Sequence, residues 1–458
     1  MDPIIDGKPP RQYWREIFAV YLARPVLIVL FLGFSSGLPL ALSGSTLAIW
    51  MREAGVDLGT IGLFTLVGTP YTIKFLWAPV VDAVDVPLLT RLLGRRRGWL
   101  MLSQIMLMAA IFGLALSGPQ NSPLAVVAGA ALLVAVASAT QDILIDAFRV
   151  ESLNNSEQAA GMAAYVAAYR IGMLVSTAGT LYVVSAWEAW GVGKDAAWSL
   201  AYIVMAAFVA IGTATTLLAT EPEGSAEAET LGRVETNPLV RVATVAYGAF
   251  SDFLTRDLAF ATLLFVVLFK FCDAFAGAMM APFVIDLGFT RTDYANIVKG
   301  LGLAATLVGG FVGGLVARAH PLLTALWFGA LLQMSSNLAF TWQAYMGLNH
   351  WALATSVTFE NFTSAFGTVI FVSYLSALCR SPLHTATQFA LLTALSAVGR
   401  TYLSAGSGFV VEETGWPLFF VISFLSAIPS LALLWWLQVR GHFRSLEPEN
   451  PSRWVGEP

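Results

Sequence analysis

Apolar residues run in long blocks along the whole chain, at roughly 25–51, 60–83, 99–118, 123–149, 160–185, 197–219, 258–285, 294–317, 322–341, 351–378, 385–411 and 417–438. Each block is long enough to cross a hydrocarbon core of about 30 Å at about 1.5 Å per helical residue. The pattern predicts twelve membrane-spanning helices, numbered below as spans one to twelve. The first 24 residues are polar and basic, which is not the form of a cleavable signal peptide. An even number of spans places both termini on one side.

Composition agrees with this reading. The chain is 57% hydrophobic and 12% charged, half the charge of an ordinary soluble domain. Its mean hydropathy is +0.71. Two cysteines in 458 residues exclude a disulfide scaffold. A net charge of −4 gives nucleic-acid binding no electrostatic support.

Basic residues give the direction of the chain. With the N-terminus in the cytoplasm, seventeen Lys and Arg fall in cytoplasmic segments and only Arg52, Lys194 and Arg291 fall outside. Trp50, Trp187, Trp190, Trp198, Trp342, Trp351 and Trp416 then mark the outer span ends as an interfacial belt. The longest connection, about 220–257, divides the chain into a six-helix bundle at 1–219 and a second one, with a cytoplasmic tail, at 258–458. Five Glu between Glu221 and Glu235 read as a mobile linker. From Asn237-Pro238 onward, Leu239, Val242, Ala246, Phe250 and Phe253 recur at helical spacing. That stripe fits a helix on the inner leaflet or one packed against the bundle base.

Ionisable groups at membrane depth are functional candidates by default. The spans contain Lys74, Asp142, Asp146, Arg170, Lys270, Asp273, Lys299, Glu360 and Arg400. At about 1.5 Å per residue, Arg170, Lys270, Glu360 and Arg400 lie about 13–22 Å from a span end, in one central layer. Lys74 lies a little below it. Lys299 is near an outer end and is expected to snorkel. Ser138, Asp142, Asp146 and Arg149 form a polar stripe down span four. Asp146 with Arg149 reads as an inner gate or bracing pair. Lys270 and Asp273 are three apart on span seven and read equally as a neutralised pair or a binding site. Tyr165 and Tyr169 stack one turn apart beside Arg170. Glu360, Ser364 and Gly367 align on span ten, and Gln388, Ser396, Arg400 and Ser404 on span eleven. Glu360 is the one acid at central depth without a basic neighbour in sequence, so it is the candidate for carrying a coupled proton. Gly33, Gly37 and Gly44 on span one fit close helix packing. The four histidines lack metal-ligand spacing, and no phosphate loop is present, so neither a metal, another cofactor nor ATP is expected. No catalytic constellation competes, and an enzyme is not expected.

Two halves of six spans around a long central loop suggest the major facilitator architecture, an all-α membrane fold of two pseudo-symmetric bundles. The connection after span two reads Trp77-Ala78-Pro79-Val80-Val81-Asp82, then Gly94-Arg95-Arg96-Arg97-Gly98. It resembles a stretched form of that superfamily's cytoplasmic gate loop, which implies gate roles for Asp82, Arg95, Arg96 and Arg97, with Arg149 nearby. Gly309-Gly310-Phe311-Val312-Gly313-Gly314 stands at the matching place in the second half.

Longer strings narrow the family. These are Leu32-Gly33-Phe34-Ser35-Ser36-Gly37-Leu38-Pro39, Lys74-Phe75-Leu76-Trp77-Ala78-Pro79, Ala139-Thr140-Gln141-Asp142-Ile143, Tyr169-Arg170-Ile171-Gly172-Met173, Glu360-Asn361-Phe362 and Thr385-Ala386-Thr387-Gln388-Phe389. Together they resemble the AmpG-type muropeptide permeases over nearly the full chain. Phe389 departs from the family's usual Tyr, and Ser364-Ala365 from an expected Gly pair. The resemblance implies import of anhydro-muropeptides across a bacterial inner membrane by proton symport. Lys74, Arg170, Lys270 and Arg400 would meet the substrate's carboxylates, and Tyr71, Tyr165 and Tyr169 its sugar rings, with Asn361 and Gln388 from the matching motifs. Glu360, Asp142, Asp146 and Asp273 are the candidate proton carriers. The expected partners are the lipid bilayer, protons and the sugar-peptide, and the chain is expected to act as a monomer. The superfamily also holds carriers of other cargo, such as an acyl-coenzyme A, which remains the alternative.

Overall fold

The computed structural model describes residues 19–154, 157–222, 258–379 and 385–446. The expected surface helix at 237–257 lies outside them. Every regular element among the described residues is helical.

Among the described residues ten helices are long and apolar enough to cross a membrane, where the hydrophobic pattern predicts twelve spans. Two features account for the difference. Span two runs as short pieces, Leu58–Leu63, Phe64–Gly68, Thr69–Ile73, Lys74–Leu76 and Ala78–Ala83. Pro70 and Pro79 each sit in the first turn of a restarted helix, where their missing N–H costs nothing. Spans eleven and twelve merge into one apolar stretch, Leu391–Val439. Its break is Gly415, at φ 73° and ψ 166°, a conformation open to glycine.

Other spans are interrupted too. Span one runs as Arg24–Leu42 and Ser45–Glu53. Span seven runs as Ala259–Leu268, Phe271–Ala278 and Met280–Asp286. Spans five and eight each contain a π-helical segment, at Val175–Gly179 and Tyr294–Leu301. Such widened turns are rare and cluster at functional places. Spans three, four, six, nine and ten are continuous: Arg95–Leu116, Leu124–Ser152, Lys194–Leu218, Leu322–Met346 and His350–Leu378.

The chain forms two compact units. Unit 1 holds residues up to Asp57, Leu66–Arg241 and the short segment Thr290–Ala295. Unit 2 holds Leu58–Thr65, Val242–Phe289 and Asn296 onward.

Within unit 1, span one packs on span five through Gly33 and Gly37. A Cβ at either position would overlap the backbone of Tyr165 or Tyr169, so the expected close packing is present there. Gly44 meets only its own Leu40 carbonyl. Trp50 and Trp198 stack at 5.6 Å and 6°, and the Tyr202 hydroxyl donates to the Leu42 carbonyl at 2.9 Å.

Unit 2 repeats the device. Gly309 and Gly313 lie on the backbone of Phe362 and Phe366. These two glycines of the Gly-rich stretch are therefore packing positions. The unit's core is aromatic: Phe269 stacks on Phe371 at 4.8 Å, and Phe265 meets Tyr374 edge-on at 5.5 Å.

Candidate functional site

Each unit carries its own charged cluster at membrane depth, and in each a lysine sits where a helix breaks. Lys74 ends the Thr69–Ile73 helix, and Lys270 lies between Leu268 and Phe271. A broken helix frees backbone groups, which are tolerated in a membrane only beside protein or a water-filled cavity.

In unit 1 the cluster centres on Asp142. Ser36 Oγ donates to Asp142 Oδ1 at 2.5 Å, and the same hydroxyl lies 3.1 Å from the Tyr165 hydroxyl. Lys74 Nζ is 4.0 Å from Asp142 Oδ2. Tyr165 and Tyr169 are tilted rings 6.1 Å apart. The buried Tyr71 hydroxyl lies beside those of Ser138 and Ser43, next to Asp142. Asp146 is more open and pairs with Arg149 at 3.7 Å. Lys74, Tyr71, Tyr165, Tyr169 and Asp142 are thus brought together, joined by Ser36, which sequence reasoning left out. Arg170 stands apart: it is exposed and pairs with no acid among the described residues.

In unit 2 the cluster centres on Asp273. Lys270 Nζ pairs with Asp273 Oδ2 at 2.7 Å, and Ser364 Oγ donates to the same oxygen at 2.8 Å. Asp273 falls in the first turn of the helix that restarts at Phe271, where the N-terminal dipole favours an anion. Glu360 accepts from Asn361 Nδ2 at 2.7 Å, and Asn361 Oδ1 accepts from Thr306 Oγ1 at 3.2 Å. Asp273, Lys270 and Lys299 all act electrostatically on Glu360. Glu360 therefore has two basic neighbours in space that it lacks in sequence. Lys299, half-buried on span eight, is one of these two. Lys299 lies within the π-helical segment Tyr294–Leu301. Gln333 is 1% exposed and faces the Asp273 carboxylate as a further side-chain partner. Arg400 is exposed and pairs with no acid among the described residues. The side chain of Gln388 lies outside the described residues.

The arginine-rich turn before span three is committed internally. Arg96 makes a two-nitrogen pair with Glu151, with Nη2 2.5 Å from Oε1. Arg97 donates to the carbonyls of Thr216 and Leu217, both at 2.9 Å, capping the end of span six. The Glu221 carboxylate accepts from the backbone N–H groups of Arg96 and Arg97 at 2.8 and 3.1 Å. It occupies the N-terminus of span three, where the dipole favours it. Arg95 is half-buried, and the side chain of Asp82 lies outside the described residues.

At the opposite end of unit 1 lies a cluster that sequence reasoning missed. Arg291 Nε donates to Glu53 Oε1 at 2.6 Å, and Arg291 Nη1 to Glu188 Oε2 at 2.6 Å. Lys194 Nζ is 3.5 Å from Glu53 Oε2, and Trp198 Nε1 donates to that oxygen at 3.1 Å. The Arg291 guanidinium also lies 5.4 Å from the Trp198 ring centre. In sequence, Arg291 and Lys194 are merely two of three exceptions to a charge rule.

The sequence profile of the Major Facilitator Superfamily matches residues 29–402. The chain is 39% identical over 409 residues to the anhydromuropeptide permease of Escherichia coli (strain K12), covering 89% of this chain and 78% of that one. It is 32% identical over 422 residues to putative transporter AmpG 4 of Rickettsia felis, covering 92% and 98%. Among solved structures, the nucleoside transporter NupG superposes with a TM-score of 0.67 at 16% identity, over 93% of this chain and all of that one. A proton-dependent oligopeptide transporter superposes with a TM-score of 0.60 at 12% identity, over 93% and 99%.

Proposed function

The chain belongs to the AmpG-type permeases of the major facilitator superfamily, multi-pass membrane transporters, and on that premise we propose that it imports anhydro-muropeptides into the bacterial cytoplasm. The observation that carries the reading is the 39% identity to a permease of that name over 89% of this chain. In this reading the chain works as a monomer in the inner membrane, with both termini cytoplasmic, by alternating access around a site near the bilayer midplane.

The charge arrangement supports an anionic cargo. Lys74 and Lys270 are already engaged by Asp142 and Asp273. Arg170 and Arg400, one in each unit, are exposed and pair with no acid among the described residues. An arginine held at central depth without a counter-charge is costly and calls for an anion. The two arginines are therefore the primary carboxylate contacts, each offering a two-pronged fork. The tyrosines beside Asp142 offer flat faces to sugar rings, with Asn361 and Gln388 as polar contacts.

Glu360 is the proposed proton carrier, with Asp273 as its partner and Asp142 and Asp146 on the release path. The group of Asp82, Arg95, Arg96, Arg97 and Arg149 braces the cytoplasmic side. Co-transported protons would offset the cargo's negative charge against an inside-negative potential, worth about 2.3 kcal/mol per charge per 100 mV.

The test is uptake of labelled anhydro-muropeptide into proteoliposomes, with and without an inward proton gradient, for the wild type and Glu360→Gln. We expect gradient-driven uptake by the wild type, and its loss in the variant with equilibrium exchange retained. Gradient-driven uptake surviving in Glu360→Gln moves the proton to another acid. No uptake by the wild type under any gradient sinks the cargo assignment.

A further inference from the structure

The hydroxyl of Ser36 stands between two groups of unit 1 that the proposed transport uses for different ends, one for protons and one for cargo. Its oxygen lies 2.5 Å from Asp142 Oδ1 and 3.1 Å from the Tyr165 hydroxyl. Ser36 is 1% exposed. Gly33 stands one turn before it and Gly37 one residue after, and both set span one on the backbone of Tyr165 and Tyr169. With the two helices in such close contact, the heavy atoms have little room to shift. The freedom left at this place belongs to the hydroxyl protons.

A serine hydroxyl has one proton to give, and a carboxylate can only accept. While Asp142 is ionised, Ser36 therefore donates to Oδ1, and the Tyr165 O–H donates to Ser36 across the 3.1 Å contact. In that state the Tyr165 proton is engaged inside the protein. Once protonated on Oδ1, Asp142 becomes a donor. Ser36 then accepts from it and turns its own O–H to the Tyr165 oxygen, and the Tyr165 O–H is released for a new acceptor. One proton is added, on Oδ1. Ser36 and Tyr165 keep theirs and rotate about their C–O bonds.

Lys74 decides which oxygen takes the proton. Its ammonium lies 4.0 Å from Oδ2, and a positive charge disfavours a proton on the oxygen it faces. Oδ1, with a hydroxyl able to accept, is the better place. The other ionisable groups around Asp142 are Asp146 on its own span, Tyr71 on span two, and Tyr165 and Tyr169 on span five. Of these, Tyr165 shares the Ser36 hydroxyl. The Asp142 side chain is 13% exposed, so it exchanges protons with water. Tyr165 is half-buried rather than sealed, as a side chain that meets cargo must be.

We propose that Ser36 is the positioning residue through which protonation of Asp142 is read out at Tyr165. The cargo gains a hydrogen-bond donor when Asp142 holds a proton and loses it when the proton leaves. The cargo half of this rests on the muropeptide reading above, with a sugar oxygen as the acceptor. Proton and sugar are then coupled at one place: departure of the proton from Asp142, on the release path, also loosens the sugar.

The test has two arms, both on the purified full chain. In the first, the dissociation constant of labelled anhydro-muropeptide is measured at neutral pH and at about pH 5. We expect tighter binding at the lower pH. Ser36→Ala and Tyr165→Phe should each lose roughly 2–10-fold of that tightening, the worth of one neutral hydrogen bond. Other acids keep their share in both variants. Ser36→Ala should lose it from the neutral side, because its Tyr165 O–H is free at every pH, and Tyr165→Phe from the acid side. The double variant should lose no more than either. A merely structural Ser36 would change binding equally at both pH values. An unchanged pH ratio in either single variant overturns the proposal, as does additive loss in the double variant.

The second arm needs no cargo. Infrared difference spectra between the two pH values, with isotope-labelled tyrosine, should show a carboxyl band that Asp142→Asn removes and a tyrosine band that Tyr165→Phe removes. In Ser36→Ala the carboxyl band should persist and the tyrosine band should vanish. A tyrosine band that survives in Ser36→Ala, or is missing from the wild type, overturns the relay. If the wild type binds no anhydro-muropeptide at either pH, the cargo reading falls and the infrared arm still decides the relay.

Discussion

Arg291 and Glu53 lie 238 positions apart and meet through a two-point ion pair, with Arg291 Nε donating to Glu53 Oε1 at 2.6 Å. Their side chains are 11% and 10% exposed, so the pair is largely withdrawn from solvent. Breaking a buried pair by removing one partner strands the other charge, at about 3–5 kcal/mol. Lys194 stands by Glu53 and should hold the loss for Arg291→Gln toward the lower end. The check is the thermal unfolding midpoint in detergent. Adding Glu53→Gln should restore part of it, because the double variant strands one carboxylate fewer.

Lys270 and Asp273 should behave in the same way. Lys270→Ala alone leaves the Asp273 carboxylate with only neutral partners, Ser364 and Gln333, among the described residues, and should destabilise more than the double change Lys270→Ala, Asp273→Ala. A double-mutant cycle on the unfolding midpoint measures the coupling. Additive single effects would remove Asp273 as the partner that matters to Lys270.

Arg170 and Arg400 lose no acid partner among the described residues when changed, so Arg170→Gln and Arg400→Gln should leave the unfolding midpoint nearly unchanged. Each should instead weaken binding of a carboxylate-bearing cargo. A hydrogen bond to a charged group is worth about 1.5–3 kcal/mol, which converts to roughly 10–150-fold in affinity. Binding of labelled cargo to the purified protein is the measurement. A fall in stability without a fall in affinity would make them structural.

Glycine positions separate close packing from open surface. Gly37→Ala should cost about 1–3 kcal/mol, because the new Cβ overlaps the Tyr169 backbone. Gly113→Ala, with nothing within 4 Å, should be neutral or should stabilise by up to about 1 kcal/mol. Yield and unfolding midpoint of the two variants, side by side, decide this.

Glu221 should act as a helix cap. Glu221→Ala removes the acceptor for the Arg96 and Arg97 N–H groups and should cost about 0.5–2 kcal/mol. Glu221→Gln, which keeps an oxygen but not the charge, should cost less. Equal losses would remove the charge from the account.

Hydrophobic blocks longer than a bilayer is thick determined the class of this protein, because a helix in lipid must satisfy its own backbone and so leaves a long apolar signature. Helical spacing also determined which faces carry Asp142, Asp146 and Arg149, since neighbours three and four apart share a face whatever the tertiary context. The Lys270–Asp273 pair was legible for that reason. The breaks were only partly legible: Pro70 and Pro79 announce those of span two, whereas nothing local marks the break at Lys270. The partners of Lys74 and Glu360, the capping of span three by Glu221 and the clasp on Arg291 were decided by tertiary structure alone. Those contacts join residues tens to hundreds of positions apart, and a pairing between distant helices leaves no periodic trace in either one.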